Sequence, residues 1–321
     1  MKPGDVPALS PLDARIPEWD KTVLEERVCP VCRTEGRRLC IRPDSLEVKH
    51  CLECGLLFVS PCPGEDELTR FYDNYHQRHY RHVHTPKDVL ATPLDDFRLT
   101  ELASMKDLAK ARVLDVGFGQ GLNLVRLRRL GADVHGIDLD PEAVKVARGQ
   151  LGFENVQCAS IDGLDEKDRF DAITLFDVIE HPLHPLDVLE TATHLLEPEG
   201  LLAIWSPNGS FIPSEREPVQ LRVDLEHMQY FTFRTCQYVA QRLSLDIVHL
   251  ESLGFPWLEG VDRLPERLAR PDSLKLRGKR FVKSLPGFQA ARKMRLFLRS
   301  LRKADVRQGT YHLFCVFRRS A

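Results

Sequence analysis

The sequence predicts an α/β protein built on a doubly wound parallel sheet, with a small cysteine-rich module in front of it. Three observations support this prediction. From residue 112 onward, apolar strand-like runs alternate with amphipathic helical runs, which is typical of a parallel sheet covered by helices. The first of these strands runs into a glycine-rich turn, LDVGFGQG. Two CxxC pairs, CPVC and CLEC, stand near the start of the chain.

The composition is that of an ordinary globular protein. The chain has 321 residues, 43% of them hydrophobic, which suffices for a sizeable core. Its formal net charge of −2 disfavours a general polyanion-binding protein. No apolar run approaches the roughly 20 residues that a membrane span needs, and residues 1–24, rich in Pro and Asp, contain no apolar core of a secretory signal. We therefore expect a flexible arm over residues 1–24 and a reducing, cytoplasmic location.

Residues 25–64 are predicted to form a zinc-binding module. Its ligands would be Cys29, Cys32, Cys51 and Cys54, because two CxxC turns together supply the four thiolates of a tetrahedral site. The intervening RLCIRPDSLEVKHC is predicted to form a hairpin. Four cysteines leave no open coordination position, so the zinc would be structural. The alternative is a reduced hairpin without metal.

Residues 65–110 are predicted to form linking or lid helices, beginning with EDELTRFYDNY. The run YHQRHYRHVH contributes a local cluster of four histidines at positions 76, 79, 82 and 84. Such a cluster is open to two interpretations, a second metal site or a polar lid segment, of which we favour the lid.

The domain from residue 111 to 321 begins with the candidate cofactor loop. Glycines at 117, 119 and 121 would let the backbone approach a ligand at the carboxyl end of the first strand. Their spacing differs from the GxGxxG dinucleotide fingerprint, and the preceding Asp115 suits an ammonium group better than a pyrophosphate. Asp138 ends the second strand, where a carboxylate can accept both ribose hydroxyls.

Together these features resemble the class I S-adenosylmethionine (SAM)-dependent methyltransferases, over about residues 97–255 and 311–319. The resemblance implies a seven-stranded Rossmann-like sheet that ends in a β-hairpin, with SAM as cofactor. It also implies these cofactor-binding residues: Asp115, Gly117, Phe118, Gly119, Gly121, Asp138, Leu139, Ser160, Ile161, Asp162, Phe176 and Asp177. Phe118 departs from the family, in which a small residue or Cys is common.

The candidates for acceptor chemistry follow the fourth and fifth strands. Glu180 and His181 end the fourth strand, and Asn208 follows the fifth. A long loop, PSEREPVQLRVDLEHMQYFTF, then brings Glu226 and His227. Histidine is the side chain most easily tuned to take a proton near neutral pH, so we expect His227 and His181 to act on the acceptor. The structural alternative for His181 is a buried capping residue. No N-P-P-[YF] motif follows the fourth strand, which disfavours methylation of a base amino group.

A second resemblance concerns the acceptor. The run CxxC…CxxCGLLF-x-x-P, leading into LTRFYDNYHQRHY, looks like zinc-bearing methyltransferases of sugar, cell-surface glycan and natural-product pathways. DLEHMQYFTF is similar to the Glu-His-x-x-Tyr-Phe segment of deoxysugar C-methyltransferases. This similarity implies that the sugar site is lined by the Glu226–His227 pair and by Tyr72 or Tyr75, and we add Asn208 and Tyr230 as substrate-contact candidates. The preceding VQLRVDLEH departs from that family's tyrosine-rich stretch, so we favour O-methylation of a hydroxyl over C-methylation.

A basic insertion precedes the last strand, over residues 256–310. It holds fifteen Lys and Arg against five Asp and Glu, and GFQAARKMRLFLRSLRKAD within it reads as an amphipathic helix. Three interpretations remain open: a helix packed on the domain, a peripheral membrane contact through residues 280–303, or a nucleic-acid patch, the least favoured.

The sequence thus favours a small-molecule, nucleotide-sugar or lipid-linked glycan acceptor. The alternatives are a sugar C-methyltransferase, an rRNA or tRNA methyltransferase whose zinc module grips RNA, and an inactive SAM-binding scaffold. RNA is disfavoured because residues 29–54 hold few aromatic side chains for base stacking. The acceptor and the oligomeric state stay open.

Overall fold

The computed structural model describes residues 8–13, 16–72, 84–211, 219–254 and 310–320. Its strands are β1 Gly36–Ile41, β2 Glu47–Cys51, β3 Leu57–Val59, β4 Arg112–Val116, β5 Asp133–Asp138, β6 Val156–Cys158, β7 Phe170–Phe176, β8 Leu196–Pro207, β9 Gln229–Tyr230, β10 Leu245–Leu253 and β11 His312–Arg319. Its helices are α1 Glu65–Tyr72, α2 Pro86–Leu90, α3 Phe97–Met105, α4 Leu122–Arg129, α5 Pro141–Gly149, α6 Pro185–His194 and α7 Phe233–Leu243.

The large sheet has seven strands in the order β10-β11-β8-β7-β4-β5-β6. The five strands from β8 to β6 are parallel, and β11 runs antiparallel to both β8 and β10. The central strands are near-continuous apolar runs because helices cover both faces; six of the seven residues of β7 are buried. The predicted doubly wound, seven-stranded sheet with a closing hairpin is confirmed.

Local signals start the helices of this domain where the sequence indicates them. The side chain of Asp140 caps α5 by accepting a hydrogen bond from the backbone N–H of Glu142, 2.8 Å away, and Pro141 occupies the first turn. Thr232 caps α7 through the N–H of Thr235 at 3.0 Å. Each cap thus fixes the residue at which its helix begins.

The cysteine-rich segment forms the predicted hairpin, but it is not a separate unit. β1, β2 and β3 form a small antiparallel sheet whose fourth strand is β9, contributed by residues about 170 positions later. Side chains of the segment, among them Val31 and Phe58, belong to the same buried cluster as Phe231 and Val239 of the large domain. The small sheet and the large domain therefore share one core.

The described residues of the stretch 1–24, which the sequence analysis predicts to be a flexible arm, make specific contacts with the fold. The backbone N–H of Leu9 donates to the carbonyl of Ile41, 3.0 Å away, extending the small sheet. Trp19 is buried, and its indole Nε1 donates to Asp44 Oδ2 at 3.0 Å. A backbone hydrogen bond and a buried indole thus attach this Pro- and Asp-rich segment to the small sheet.

Several predictions fall on residues that lie outside the described ones. These are Tyr75, the histidines at 76, 79 and 82, and the basic insertion except for Thr310. Within the described ranges, no helix combines the length and the apolar character needed to cross a membrane.

Candidate functional site

The candidate site lies at the edge of the large sheet where the parallel strands end. β4 ends next to β5 and β7, and β7 ends next to β8, so the loops after these four strands share one edge. The glycine turn follows β4. Gly117 has φ of 65°, and a Cβ there would lie 2.7 Å from Cγ2 of Val178. Gly121 has φ of 82° and would meet Leu151 at 2.8 Å. The turn therefore requires glycine for both conformation and space.

Asp115 presents a buried carboxylate beneath this turn. The residue is 1% exposed, and its Oδ1 accepts a hydrogen bond of 2.6 Å from Thr174 Oγ1. Its Oδ2 is buried and has no hydrogen-bond partner among the described residues. Burial raises the pKa of Asp115 to about 7. An orphaned carboxylate oxygen next to a glycine cradle fits a cationic ligand group such as the ammonium of an amino acid.

Asp138 stands at the end of β5, as predicted. Its Oδ2 accepts from the N–H of Gly119 at 2.7 Å, and its Oδ1 accepts from the N–H of Asp140 at 2.9 Å. The next side chain, Leu139, is 67% exposed, which is unusual for leucine and leaves an apolar surface beside the carboxylate. A ribose with an attached planar base suits this pair of surfaces.

The remaining predicted cofactor residues lie around the same edge. Ile161 is buried in a 3₁₀ turn, Ile161–Gly163, that follows β6, while Ser160 and Asp162 beside it are exposed. Phe118 is 6% exposed and packs in the core beneath the turn. Phe176 is also buried, and the exposed Asp177 has φ of 57°. A positive φ is uncommon for a residue other than glycine, and it turns the chain sharply after β7.

Arg98 is a site residue that the sequence analysis missed. It pairs with Asp96 through Nε at 3.0 Å and Nη2 at 2.8 Å, and its guanidinium stacks 4.5 Å above the ring of Phe176. Its Nη1 lies 3.8 Å from Asp177 Oδ2. Arg98, Asp96 and Asp177, together with Trp205, belong to the lining of a cavity of about 380 Å³. In the sequence, Arg98 stands in the run DDFR before the first strand of the large sheet. This run is a common start of a helix and belongs to no motif.

The acceptor candidates form a second group of side chains at the end of β7. The hydroxyl of Tyr72 shares a hydrogen bond of 2.6 Å with Nδ1 of His181. The rings of His181 and His227 lie edge to face, with centroids 4.9 Å apart. Oε1 of Glu180 lies 4.0 Å from Nε2 of His227. The structure thus brings Tyr72, Glu180, His181 and His227 together from three distant parts of the chain.

Burial controls the protonation of this group. Glu180 is 0% exposed, and neither carboxylate oxygen has a hydrogen-bond partner among the described residues. Burial therefore raises the pKa of Glu180 well above its usual range. Burial, and then the neighbouring His227, lower the pKa of His181 to about 3. Burial thus keeps the imidazole of His181 neutral at neutral pH and favours the protonated form of the Glu180 carboxyl.

The loop that carries Glu226 and His227 is itself buried, at 4% and 7% exposure. Tyr230, predicted to contact substrate, is wholly buried, and its hydroxyl accepts a hydrogen bond from Arg42 Nη1 at 3.2 Å. Burial raises the pKa of Tyr230 to about 12. Tyr230 therefore supports the loop from behind, and its predicted contact with substrate stays a prediction.

Asn208, the other residue predicted to contact substrate, has a structural role in the fold. It is wholly buried at the end of β8. Its Nδ2 donates to Ser252 Oγ at 3.1 Å, and its Oδ1 accepts from the N–H of Ser210 at 2.9 Å. Both ends of the amide are used within the fold, where they hold the turn after β8.

The four cysteines of the two CxxC pairs converge as predicted. All four Sγ atoms lie within 4.8 Å of one another, with Cys29 and Cys54 at 3.5 Å and Cys32 and Cys51 at 3.2 Å. A tetrahedron of sulfurs with Zn–S bonds of about 2.3 Å has edges of roughly 3.8 Å, so this arrangement fits zinc after small adjustments.

A second group of side chains could hold a metal ion in the described part of the chain. It consists of Glu180, His181 and His227, whose ligand atoms also lie within 4.8 Å of one another. One carboxylate and two imidazoles are a donor set for a divalent cation. The proton-transfer interpretation and the cation interpretation of this group therefore need to be separated by experiment.

Comparisons with known proteins indicate which family the chain belongs to. The profile of a family described as "Methyltransferase domain" matches residues 71–250, more than half of the chain. A ubiquinone biosynthesis O-methyltransferase from Xanthomonas oryzae pv. oryzae (strain PXO99A) is 40% identical over 121 residues, which cover 36% of this chain and 51% of that protein. The protein of the same name from Xanthomonas axonopodis pv. citri (strain 306) is 38% identical over 121 residues, with the same coverage. The chain thus spans about half the length of these curated relatives.

Comparison with solved structures also returned matches. A putative sarcosine dimethylglycine methyltransferase from Galdieria sulphuraria is 22% identical, with a TM-score of 0.46 over 79% of this chain and 99% of that chain. A SAM-dependent methyltransferase from Archaeoglobus fulgidus is 18% identical, with a TM-score of 0.48 over 77% of this chain and 100% of that chain.

Proposed function

The chain belongs to the methyltransferase-domain family, and we propose that it transfers the methyl group of SAM to a hydroxyl of a small acceptor. The acceptor class that we favour is a sugar, a cell-surface glycan or a secondary metabolite. One observation carries the proposal: the group of Tyr72, Glu180, His181 and His227 stands at the end of β7, beside the cofactor turn after β4. A hydroxyl acceptor needs a proton acceptor within reach, whereas an amine acceptor does not.

The residues around the glycine turn fit SAM. The orphaned Oδ2 of Asp115 and the exposed Asp177 would face its amino group, and Arg98 offers a cation for its carboxylate. Asp138 and Leu139 would hold the ribose and the adenine. Bound SAM supplies a methyl group that its sulfonium sulfur has already activated.

The acceptor chemistry follows from the different environments of the two histidines. His181, whose pKa is lowered to about 3, stays neutral and is oriented by Tyr72. Nε2 of His227 lies 4.0 Å from Oε1 of Glu180, so this ring nitrogen is close to a buried polar group. We assign His227 as the base that takes the hydroxyl proton while the new O–CH₃ bond forms and the S–CH₃ bond breaks. The cluster positions the acceptor oxygen in line with the methyl group.

Two observations support a hydroxyl on a ring-shaped acceptor. The curated relatives are named O-methyltransferases. The rings of Trp205 and His312 are stacked 4.3 Å apart in the lining of the cavity near Arg98, and they offer a flat surface to a sugar or an aromatic ring. C-methylation of a sugar is the second candidate, and it would use the same base on an acidic carbon.

The remaining parts of the hypothesis concern zinc, the partners and the location of the protein. Structural zinc in the four-cysteine site is supported by the convergence of the thiols. A nucleotide-sugar or lipid-linked acceptor, a peripheral membrane contact through residues 280–303 and a cytoplasmic location stay predictions from the sequence. Nucleic acid remains the disfavoured partner.

The test is a labelling assay with methyl-labelled SAM and host extract divided into RNA, protein, lipid and small-molecule pools. Label in the small-molecule or lipid-linked pool is expected, whereas label that ribonuclease removes would overturn the acceptor class. Once an acceptor is in hand, His227→Ala should lower kcat by about 10²–10⁴-fold and leave SAM affinity unchanged. His194→Ala, at an exposed position on α6, is the matched control.

Two further arms separate the alternatives. Loss of activity in EDTA with recovery in Mg²⁺ would assign Glu180, His181 and His227 to a cation and would remove His227 as the base. Tight SAM binding without label in any pool would favour the scaffold. An unchanged kcat in His227→Ala would refute the assigned role.

A further inference from the structure

We propose that Arg42, in the turn of the β1–β2 hairpin, is a positioning residue for His227. The inference rests on the proposed function, because His227 is the base in that function. It assigns a catalytic purpose to the cysteine-rich hairpin, which holds the loop that carries the base. Arg42 does not touch the acceptor; it acts through the backbone of the loop.

Arg42 uses every donor of its guanidinium. Its Nε and Nη2 donate to the two carboxylate oxygens of Asp44, and Nη2 also donates to the carbonyl of Leu225 at 2.6 Å. Its Nη1 donates to the carbonyl of His227 and to the hydroxyl of Tyr230. Five N–H groups thus meet five acceptors, three of which belong to the segment 225–230.

The guanidinium of Arg42 is held in place by its buried ion pair with Asp44. The side chains of Arg42 and Asp44 have no exposed surface. Asp44 in turn accepts from the indole of Trp19 at 3.0 Å and from the N–H of Leu46 at 3.3 Å. A buried ion pair with all its hydrogen bonds satisfied cannot rotate toward solvent without a large loss of interaction. The hairpin therefore presents rigid donors to the loop.

Further hydrogen bonds anchor the loop at Met228. The N–H of Val59 donates to the carbonyl of Met228 at 2.9 Å, and the N–H of Met228 donates to the carbonyl of Glu180 at 2.8 Å. Arg27 Nη2 also donates to the carbonyl of Met228, at 2.7 Å. Met228 thus ties the loop to β3 and to the end of β7. Among these contacts, Arg42 is the side chain that binds the carbonyl of His227 itself, so it determines how the imidazole is directed toward Glu180.

Arg42 could instead only stabilise the hairpin, and the two roles predict different results. A hairpin stabiliser would lower the unfolding temperature but leave turnover unchanged in the folded protein. A positioning residue would change turnover at temperatures at which the protein stays folded. It would also loosen residues 225–230.

Arg42→Lys is the test variant, because lysine keeps the charge but has three donors in place of five. We expect kcat to fall by about 100-fold at an unchanged KM for SAM, as for a misplacement of the base by about 1 Å. We expect the amides of residues 225–230 to exchange hydrogen at least about 10-fold faster. Arg38→Lys is the matched control: it lies on β1 of the same hairpin, and its side chain is 66% exposed. It should change neither quantity.

The exchange measurement distinguishes this inference from the proposed function. Faster exchange at 225–230 in Arg42→Lys, together with a wild-type protein that methylates nothing, would support the positioning contact and remove the proposed function. Unchanged exchange together with unchanged kcat in Arg42→Lys would overturn the inference. If Arg42→Lys does not fold, Asp44→Asn takes its place. It keeps the volume but removes one acceptor and the charge, and the same pair of results applies.

Discussion

Glu180 provides a quantitative test of the site, because its carboxyl is fully buried and has no hydrogen-bond partner among the described residues. Burial raises its folded-state pKa well above the ordinary 4.5. In the unfolded chain the same carboxyl ionises near 4.5. Above that pH the folded protein holds a proton that the unfolded chain has released, so the contribution of Glu180 to stability is lost as pH rises toward the folded-state pKa.

The magnitude follows from the linkage relation. Each pH unit in this window reduces the free energy of unfolding by about 1.4 kcal/mol. The wild-type protein should therefore lose stability at about this rate from pH 5 upward, until the pH reaches the folded-state pKa. Glu180→Gln has nearly the same shape and no ionisation, so this slope should vanish. The variant should be more stable relative to wild type at pH 7 than at pH 5.

The assay is urea unfolding of the two proteins at pH 5, 6 and 7, with equal slopes against urea as the condition for comparison. Glu154→Gln, at an exposed position, is the control and should follow the wild type throughout. Parallel stability curves for wild type and Glu180→Gln would refute the reasoning. They would mean that the carboxyl is ionised in the folded protein and is compensated by a cation or by His227.

Three further predictions concern the cofactor turn and the cysteine site. Because the pKa of Asp115 is raised to about 7, SAM affinity should fall by up to about tenfold per pH unit below 7, and Asp115→Asn should bind weakly with little of this dependence, as titration calorimetry would show. Gly117→Ala places a methyl group within 2.7 Å of a neighbouring valine at φ of 65°, so it should cost about 1–3 kcal/mol in urea unfolding and weaken SAM binding. Gly149→Ala, which meets nothing within 4 Å, should be neutral or stabilising and serves as its control. Freshly purified protein should contain one zinc ion per chain by elemental analysis. Cys51→Ser should lose it and the exposed Cys158→Ser should keep it; an absence of zinc in the wild type would contradict the site.

The sequence by itself determined the features that depend on local pattern. Alternating apolar runs predict the strands and helices of the large sheet, and the CxxC spacing predicts the cluster of four thiols. The glycine turn and Asp138 can also be recognised in the sequence, because each stands directly at the end of a predicted strand. Local periodicity and spacing suffice for these features, since the interactions that define them lie within a few residues or one strand–turn–helix unit.

The tertiary structure alone decided how the acceptor site is built. Arg42 and His227 are 185 residues apart in the chain, and Tyr72 and His181 are 109 apart. The pairing of β3 with β9 joins the cysteine-rich hairpin to the loop of the candidate base, and Arg98 reaches the cofactor edge from a helix that belongs to no motif. The sequence also suggested substrate contacts for Asn208 and Tyr230, whose polar groups are used inside the fold. No local pattern records such contacts, because they depend on which buried donor meets which buried acceptor once the chain has packed.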